Sequence, residues 1–394
     1  MRGAGSKAVV FAASAVIAVG AWTPAARAGD EAAAAGPPGW RLIDQFGYGY
    51  GTLNSVMATS GNDAWTAGFW NGPVPKSDRQ IAHWDGSSWQ MSQLPSAFTD
   101  SDTATSTGTA VAALSSSYSW AFVNRAFKPQ QTVQSFALLR HAGGWETFRL
   151  ADGSTITSAT ALSQTDAWAF GSIATGQGTA AYTVHFNGKQ WSRTPIPVVP
   201  EATAVPGPRN IWAVGPDDSA AAYVIPRRFA LAHWTGRWHI TQLPNLNQSR
   251  GHYVHGISVV TDGSGGAWVA MTFFTNSQGQ QYPNGSLLLH LTGKTWQTVT
   301  PPVYTIGLGP LAHDGHGGMW VSALALSCGN PCYPLMLHYS AKAGWSQSPV
   351  PVKSIYVAAM RQIPGTDSVW AAGYKQVCFG DGCTDVGVIL KYGR

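Results

Sequence analysis

Charge is scarce in this chain. Asp, Glu, Lys and Arg together make up 11% of its 394 residues, against about 25% in an average soluble protein. The formal net charge is only +5, and the basic residues are scattered. Nucleic-acid binding needs a basic stripe or patch, so nucleic acid is excluded as a partner. Long apolar runs are scarce too. The longest, from Ala8 to Trp22, falls short of the about 20 residues a membrane helix needs, and no membrane span is expected. Arg2 and Lys7 precede that run, and Pro24 and Ala26-Arg27-Ala28 follow it. Basic, apolar, then A-x-A is the order of a cleavable secretory signal. Residues 1–28 therefore read as a signal peptide in preference to an uncleaved anchor, and the protein is expected to be secreted. Residues 29–38, Ala-rich and ending in Pro37-Pro38, read as a flexible lead-in.

Catalytic signatures are also missing. There is no G-x-S-x-G and no H-E-x-x-H. With 19 Asp and Glu in all, no pair stands out as the facing carboxylates of a glycosidase. Arg79, Arg125, Arg209 and Arg361 do not fall into the arginine cluster a sialidase-like site needs. A non-enzyme with no cofactor is the expectation.

What the chain has in plenty is Gly and Trp, 45 and 18 residues respectively. The tryptophans mark a repeat. One series lies in short apolar segments at Trp65, Trp120, Trp168, Trp212, Trp268, Trp320 and Trp370, spaced by about 50 residues, as propeller blades are. A second series follows the first six and reads apolar, His, aromatic, Gly-bearing turn, Trp. It gives His83, His185, His233, His290 and His338 equivalent places, and Arg140 is aligned with them in the second unit. Asp85-Gly86 and Asn187-Gly188 in those turns are strong hairpin signals. Each unit thus holds four short antiparallel strands. The predicted fold is an all-β, seven-bladed β-propeller over residues 39–394. A β-solenoid is disfavoured, because its coils have no reason to repeat two hairpin turns per unit.

The seventh unit stops after a third strand, Val388–Gly393. A Gly-Trp opening an amphipathic strand stands instead at the other end, Gly39 to Asp44. The N-terminal strand is therefore expected to complete the last blade and close the ring, which leaves no exposed edge.

The four cysteines, Cys328, Cys332, Cys378 and Cys383, fall between second and third strands of the last two units. Three pairings are possible. The local ones, Cys328–Cys332 and Cys378–Cys383, are the simplest because each brackets a turn, and export disfavours a zinc site built from all four thiolates. A propeller copper oxidase would need a Cys cross-linked to Tyr, and here every Cys has a plausible partner. The repeated histidines belong to separate blades, so they read as structural donors rather than metal ligands. Asp262-Gly263 and Asp314-Gly315 read as first hairpin turns rather than calcium loops.

Aromatics outside the repeat frame are the candidates for binding. Trp70 follows a second strand and enters a Pro- and Gly-bearing loop. Tyr48 and Tyr50 lie where the closing blade passes to the first. Tyr253, with His252, has the equivalent place before the fifth unit, and Tyr282 lies in a second-to-third-strand loop. Loops on a rigid scaffold carry binding groups, and an aromatic face edged by hydrogen-bonding groups suits a sugar ring. The expected partner is a cell-surface glycan. A protein-docking scaffold without sugar affinity and a secreted carbohydrate-active hydrolase or lyase are the alternatives.

The phrase Trp212-Ala-Val-Gly215 with His233-Trp-Thr-Gly236 and Trp238 resembles the repeat of secreted bacterial seven-bladed propellers, some of them lectins. The mature chain resembles the propeller lectin subunit of umbrella toxin particles. That resemblance implies a subunit that docks onto an adaptor protein and helps a secreted antibacterial complex recognise its target cell. It carries over no binding residue.

Overall fold

The computed structural model describes residues 38–47, 50–70, 79–98, 104–128, 132–176, 178–217, 228–244, 252–277, 280–302, 305–325, 334–379 and 382–393. The expected signal peptide lies outside them, as do Tyr48, Cys328 and Cys332.

Strand β1 (Gly39–Phe46) comes first and belongs to the last blade. Blade 1 is β2 (Gly51–Ser60), β3 (Asp63–Trp70), β4 (Arg79–Trp84) and β5 (Trp89–Met91). Blade 2 is β6 (Ala104–Ser115), β7 (Tyr118–Phe127), β8 (Thr132–His141) and β9 (Gly144–Asp152). Blade 3 is β10 (Ser154–Ser163), β11 (Asp166–Thr175), β12 (Gly178–Phe186) and β13 (Trp191–Arg193). Blade 4 is β14 (Ala202–Gly207), β15 (Asn210–Pro216), β16 (Phe229–Trp234) and β17 (Trp238–Gln242). Blade 5 is β18 (His252–Thr261), β19 (Ala267–Ser277), β20 (Gln280–Thr292) and β21 (Thr295–Thr298). Blade 6 is β22 (Thr305–His313), β23 (Met319–Ala325), β24 (Leu335–Ser340) and β25 (Gly344–Ser348). Blade 7 is β26 (Ile355–Gln362), β27 (Val369–Phe379), β28 (Gly382–Gly393) and β1. Every sheet is four-stranded and antiparallel, and the whole is a β-propeller.

Burial explains the strand sequences. The second strand of each blade is covered on both faces by neighbouring blades, so it reads as a continuous apolar run rather than an alternation. Strand β15, Asn-Ile-Trp-Ala-Val-Gly-Pro, is buried from its second residue onward. Most outer strands are short and largely polar, as in β13, Trp-Ser-Arg, while β9 and β1 run longer. The glycine three residues past the repeat Trp has a steric cause. The inner strands of blades 3 and 7 bulge, and a Cβ on Gly171 or Gly373 would come within 1.9 Å of the backbone oxygen of Thr155 or Tyr356.

The ring closes as expected. Strand β1 pairs antiparallel with β28, from Gly39 opposite Gly393 to Phe46 opposite Gly387. The Trp40 ring is buried and meets Trp320 edge-on at 5.5 Å and Tyr392 at 5.6 Å. It therefore also ties blade 7 to blade 6.

The meander fixes which ends share a face. Connections from the second to the third strand, and from one blade to the next, lie at one end of the ring, here called the upper face. The two tight hairpins of each blade lie at the other end.

Candidate functional site

The repeated histidines serve the scaffold. In five blades the His stands directly opposite the repeat Trp, as in Trp65–His83, Trp168–His185, Trp212–His233, Trp268–His290 and Trp320–His338. In four of the five pairs the rings stack, with centroids 3.9 Å apart for Trp268 and His290, and in Trp65–His83 they are tilted. Each Nε2 meets an oxygen at the hairpin between the first two strands: Asp63 at 2.6 Å, Asp166 at 2.9 Å, Asn210 at 2.9 Å, Asp262 at 2.9 Å and Asp314 at 2.8 Å. The two turn aspartates of blades 5 and 6 thus hold a histidine each. Asp262 Oδ1 also accepts from the Ser264 and Gly266 backbones.

The second blade differs from its sequence alignment. Leu139, not Arg140, stands opposite Trp120. Arg140 is one position further on, and its guanidinium lies 5.3 Å from the Trp65 ring of blade 1. In blade 7 the His place is taken by Lys391.

Burial pushes the Asp262 and Asp314 carboxyls up, but hydrogen bonds from His290, His338 and the turn backbones outweigh it, leaving both below the usual value. A depressed carboxyl contributes stability that is complete above its unfolded pKa, about 3.9. That contribution is lost as pH falls through the folded value. The melting temperature is therefore expected to hold from pH 7 to about 5 and to fall below that. Blade 4 already uses Asn210 in the same place, so Asp262→Asn should fold and should show a shallower acid-side decline. Melting curves from pH 3 to 7 check this, and an unchanged acid slope would contradict it.

The structure moves Trp70 out of the candidate site. Strand β3 continues as far as Trp70, which pairs with Gly51. Its ring is 1% exposed and meets Phe46 edge-on at 5.1 Å. It packs in the seam between blades 7 and 1, where no sugar can reach its face.

Tyr50 is where a ligand can reach it, at 46% exposure, and it meets Phe69 at 5.4 Å. Two tyrosines the sequence reading missed lie at the same upper end, on blade 7. Tyr356, 52% exposed, starts the inner strand of blade 7, and Tyr374 stands opposite it on β27. Their rings stack at 5.2 Å. Burial pushes the Tyr374 phenol up, and the charges of Asp385, Tyr356 and Tyr50 push it further. The row of Tyr374 is followed on the hairpin by Gln376 opposite Asp385, then by the Cys378–Cys383 disulfide. The only sequence sign of Tyr356 and Tyr374 was position, since each lies toward the upper end of its strand.

His252, Tyr253 and Tyr282 gather at the upper end of blade 5. His252 and Tyr282 both stand opposite Thr275, and Tyr253 stands opposite Phe274. Their side chains are outside the described residues.

Tyr356 also lines two cavities. One, of about 130 Å³, lies among Phe274, Leu324, Ile355 and Tyr356. The other, of about 710 Å³, is the central channel, walled by the inner strands of all seven blades. Among the described residues no group of three or more His, Cys, Asp or Glu could hold a metal. No described helix is long and apolar enough to cross a membrane.

No family model and no curated relative matches the chain. Among solved structures it is similar to YCF48 bound to a D1 peptide, with a TM-score of 0.54 at 14% identity over 91% of this chain and 96% of that one. It is also similar to the Penicillium chrysogenum α-L-arabinanase complexed with arabinobiose, with a TM-score of 0.49 at 10% identity over 89% and 98%. The β-propeller domain of the Trilobed protease from Pyrococcus furiosus gives 0.48 at 8% identity over 83% and 91%. At 14% identity the likeness to YCF48 speaks for the fold alone.

Proposed function

We propose that this chain is a secreted, non-catalytic propeller that binds glycans on a cell surface through an aromatic platform on its upper face. The platform is Tyr356 stacked on Tyr374, with Tyr50 at the same upper end. The observation that carries the reading is the exposure of Tyr356 and Tyr50, about half of each residue's surface, on a fold that buries the tryptophan of each blade's second strand. A sugar ring offers an apolar face to stack on such a ring and hydroxyls around its edge. Gln376 and Asp385 supply hydrogen-bonding groups on the adjoining hairpin. A role as a toxin-particle subunit docked on an adaptor rests on the resemblance of the repeat alone.

A broad glycan array with the mature protein tests the reading. Saturable binding to a defined class of glycan is expected, with no product formed from a panel of polysaccharides. A blank array together with tight capture of one secreted protein would give the docking-scaffold reading its place. Turnover of a polysaccharide would make the chain an enzyme.

A further inference from the structure

Blade 7 departs from the repeat in its charges. In the other blades the inner-strand residue opposite the repeat Trp is neutral: Met57, Ala112, Thr160, Ala204, Val260 and Ala312. In blade 7 it is Arg361, opposite Trp370. The scaffold does not need a cation there, since six blades pack without one.

The row continues across the blade. Lys391 is opposite Trp370, and Arg41 is opposite Lys391. Directly opposed residues share a sheet face, so Arg361, Lys391 and Arg41 line one face of blade 7. Lys391 lies 5.2 Å from the Trp370 ring. In blades 1, 3, 4, 5 and 6 the turn Asp or Asn reaches this row through its His. Here the residue two before the Trp is Ser368, and Asp367 is engaged with His316 at 2.6 Å.

Arg361 lines the central channel. It makes no ion pair with any described residue. The described lining residues include one carboxylate, Glu201, just before the first residue of β14 and so toward the opposite, upper mouth. Burial holds the Arg361 pKa below its usual value, and no nearby acid offsets it. Arg361 is not fully enclosed, however: part of its surface stays accessible, so a ligand in the channel can reach it. The rest of the wall offers Asn54, Ser55, Ser158, Thr160 and Thr203, polar groups that suit a hydrated or hydroxyl-bearing ligand. At about 710 Å³ the channel has the size of a small-molecule site, about 300–1,000 Å³.

We infer that the central channel binds a small oxyanion-bearing ligand, with Arg361 as the anchor for its carboxylate, phosphate or sulfate group. A planar guanidinium presents two parallel donors to such a group. Tyr356 of the tyrosine platform lines the same channel, but at its upper end, away from Arg361. Tyr356 and Arg361 lie on the same strand, about 16 Å apart at the rise of an extended chain.

The test uses the purified protein with sodium phosphate, sodium sulfate or sodium glucuronate, each against chloride at matched ionic strength. At least one oxyanion should raise the melting temperature saturably by several degrees, and the same anion should give a calorimetric isotherm. Glucuronate alone points to a carboxylated sugar; phosphate or sulfate points to a free or esterified anion. Arg361→Met should lose the shift and, in chloride, should still fold and melt close to the parent. Arg361→Lys keeps the charge but not the fork, and should bind at least about tenfold more weakly. No shift with any of the three anions would overturn the proposal. So would shifts of equal size in the parent and in either variant.

Discussion

Deleting Gly39–Gln45 should abolish the cooperative folding of the ring. The deletion removes almost all of β1, whose partners on β28 run from Gly387 to Gly393. Strand β28 would become an exposed edge, a template for pairing with other chains. Trp40 would go too, and with it the aromatic contacts to Trp320 and Tyr392. Losing a buried Trp side chain alone costs about 3–5 kcal/mol, and whole domains are stable by only about 5–15 kcal/mol. The truncated chain should therefore aggregate, or unfold over a broad range far below the parent's melting temperature. A synthetic peptide of residues 39–46 added during refolding should restore part of the transition. A truncated protein that melts like the parent would refute closure as the source of stability.

Trp70→Ala should be the most damaging single substitution among the residues first suspected of binding. The ring is enclosed with Phe46, Leu53, Trp89 and Trp370 in the seam that closes the ring of blades. A cost of about 3–5 kcal/mol is expected from lost burial and the cavity left behind. The Trp70 Nε1 has no hydrogen-bond partner among the described residues, so Trp70→Phe should cost much less than Ala. Denaturant melts measure both. Ligand affinity per folded molecule should stay that of the parent. A Trp70→Ala protein as stable as the parent but unable to bind would return Trp70 to the site.

The closing strand was legible because it is a matter of counting. The seventh unit lacks a fourth strand, and the amphipathic Gly39–Phe46 supplies it. Local alternation and spacing do not fix how far a strand runs. Trp70 looked like the start of a loop, yet β3 extends to it because Gly51 leaves room. A Cβ on Gly51 would come within 3.0 Å of the Trp70 Cβ. The misplacement of Arg140 has a similar cause. Hairpins between third and fourth strands vary in length, so the Trp after the turn is a poor ruler. Blade 2 turns tightly through Ala142 and Gly143, both at positive φ, which puts His141 opposite Gly144 and Leu139 in the histidine place.

The tyrosine platform was only half legible. Tyr50 stood out as an aromatic beside glycines between blades. Tyr356 and Tyr374 are 18 positions apart in sequence and meet only because β26 and β27 pair in one particular register. The bulge between Val357 and Ala359 shifts that register by one residue, and periodicity alone does not reveal it.

Titration of the strongest array glycan into the parent protein and into Tyr356→Ala, followed by calorimetry, tests the proposed platform most directly. Tyr356 is half exposed at a strand start, so its loss should leave the melting temperature nearly unchanged. Affinity should fall about ten- to a hundredfold, the cost of about 1.4–2.8 kcal/mol expected when a stacked aromatic is removed from a binding site. Equal affinity in the two proteins, both folded, would contradict the account and place glycan recognition elsewhere on the ring.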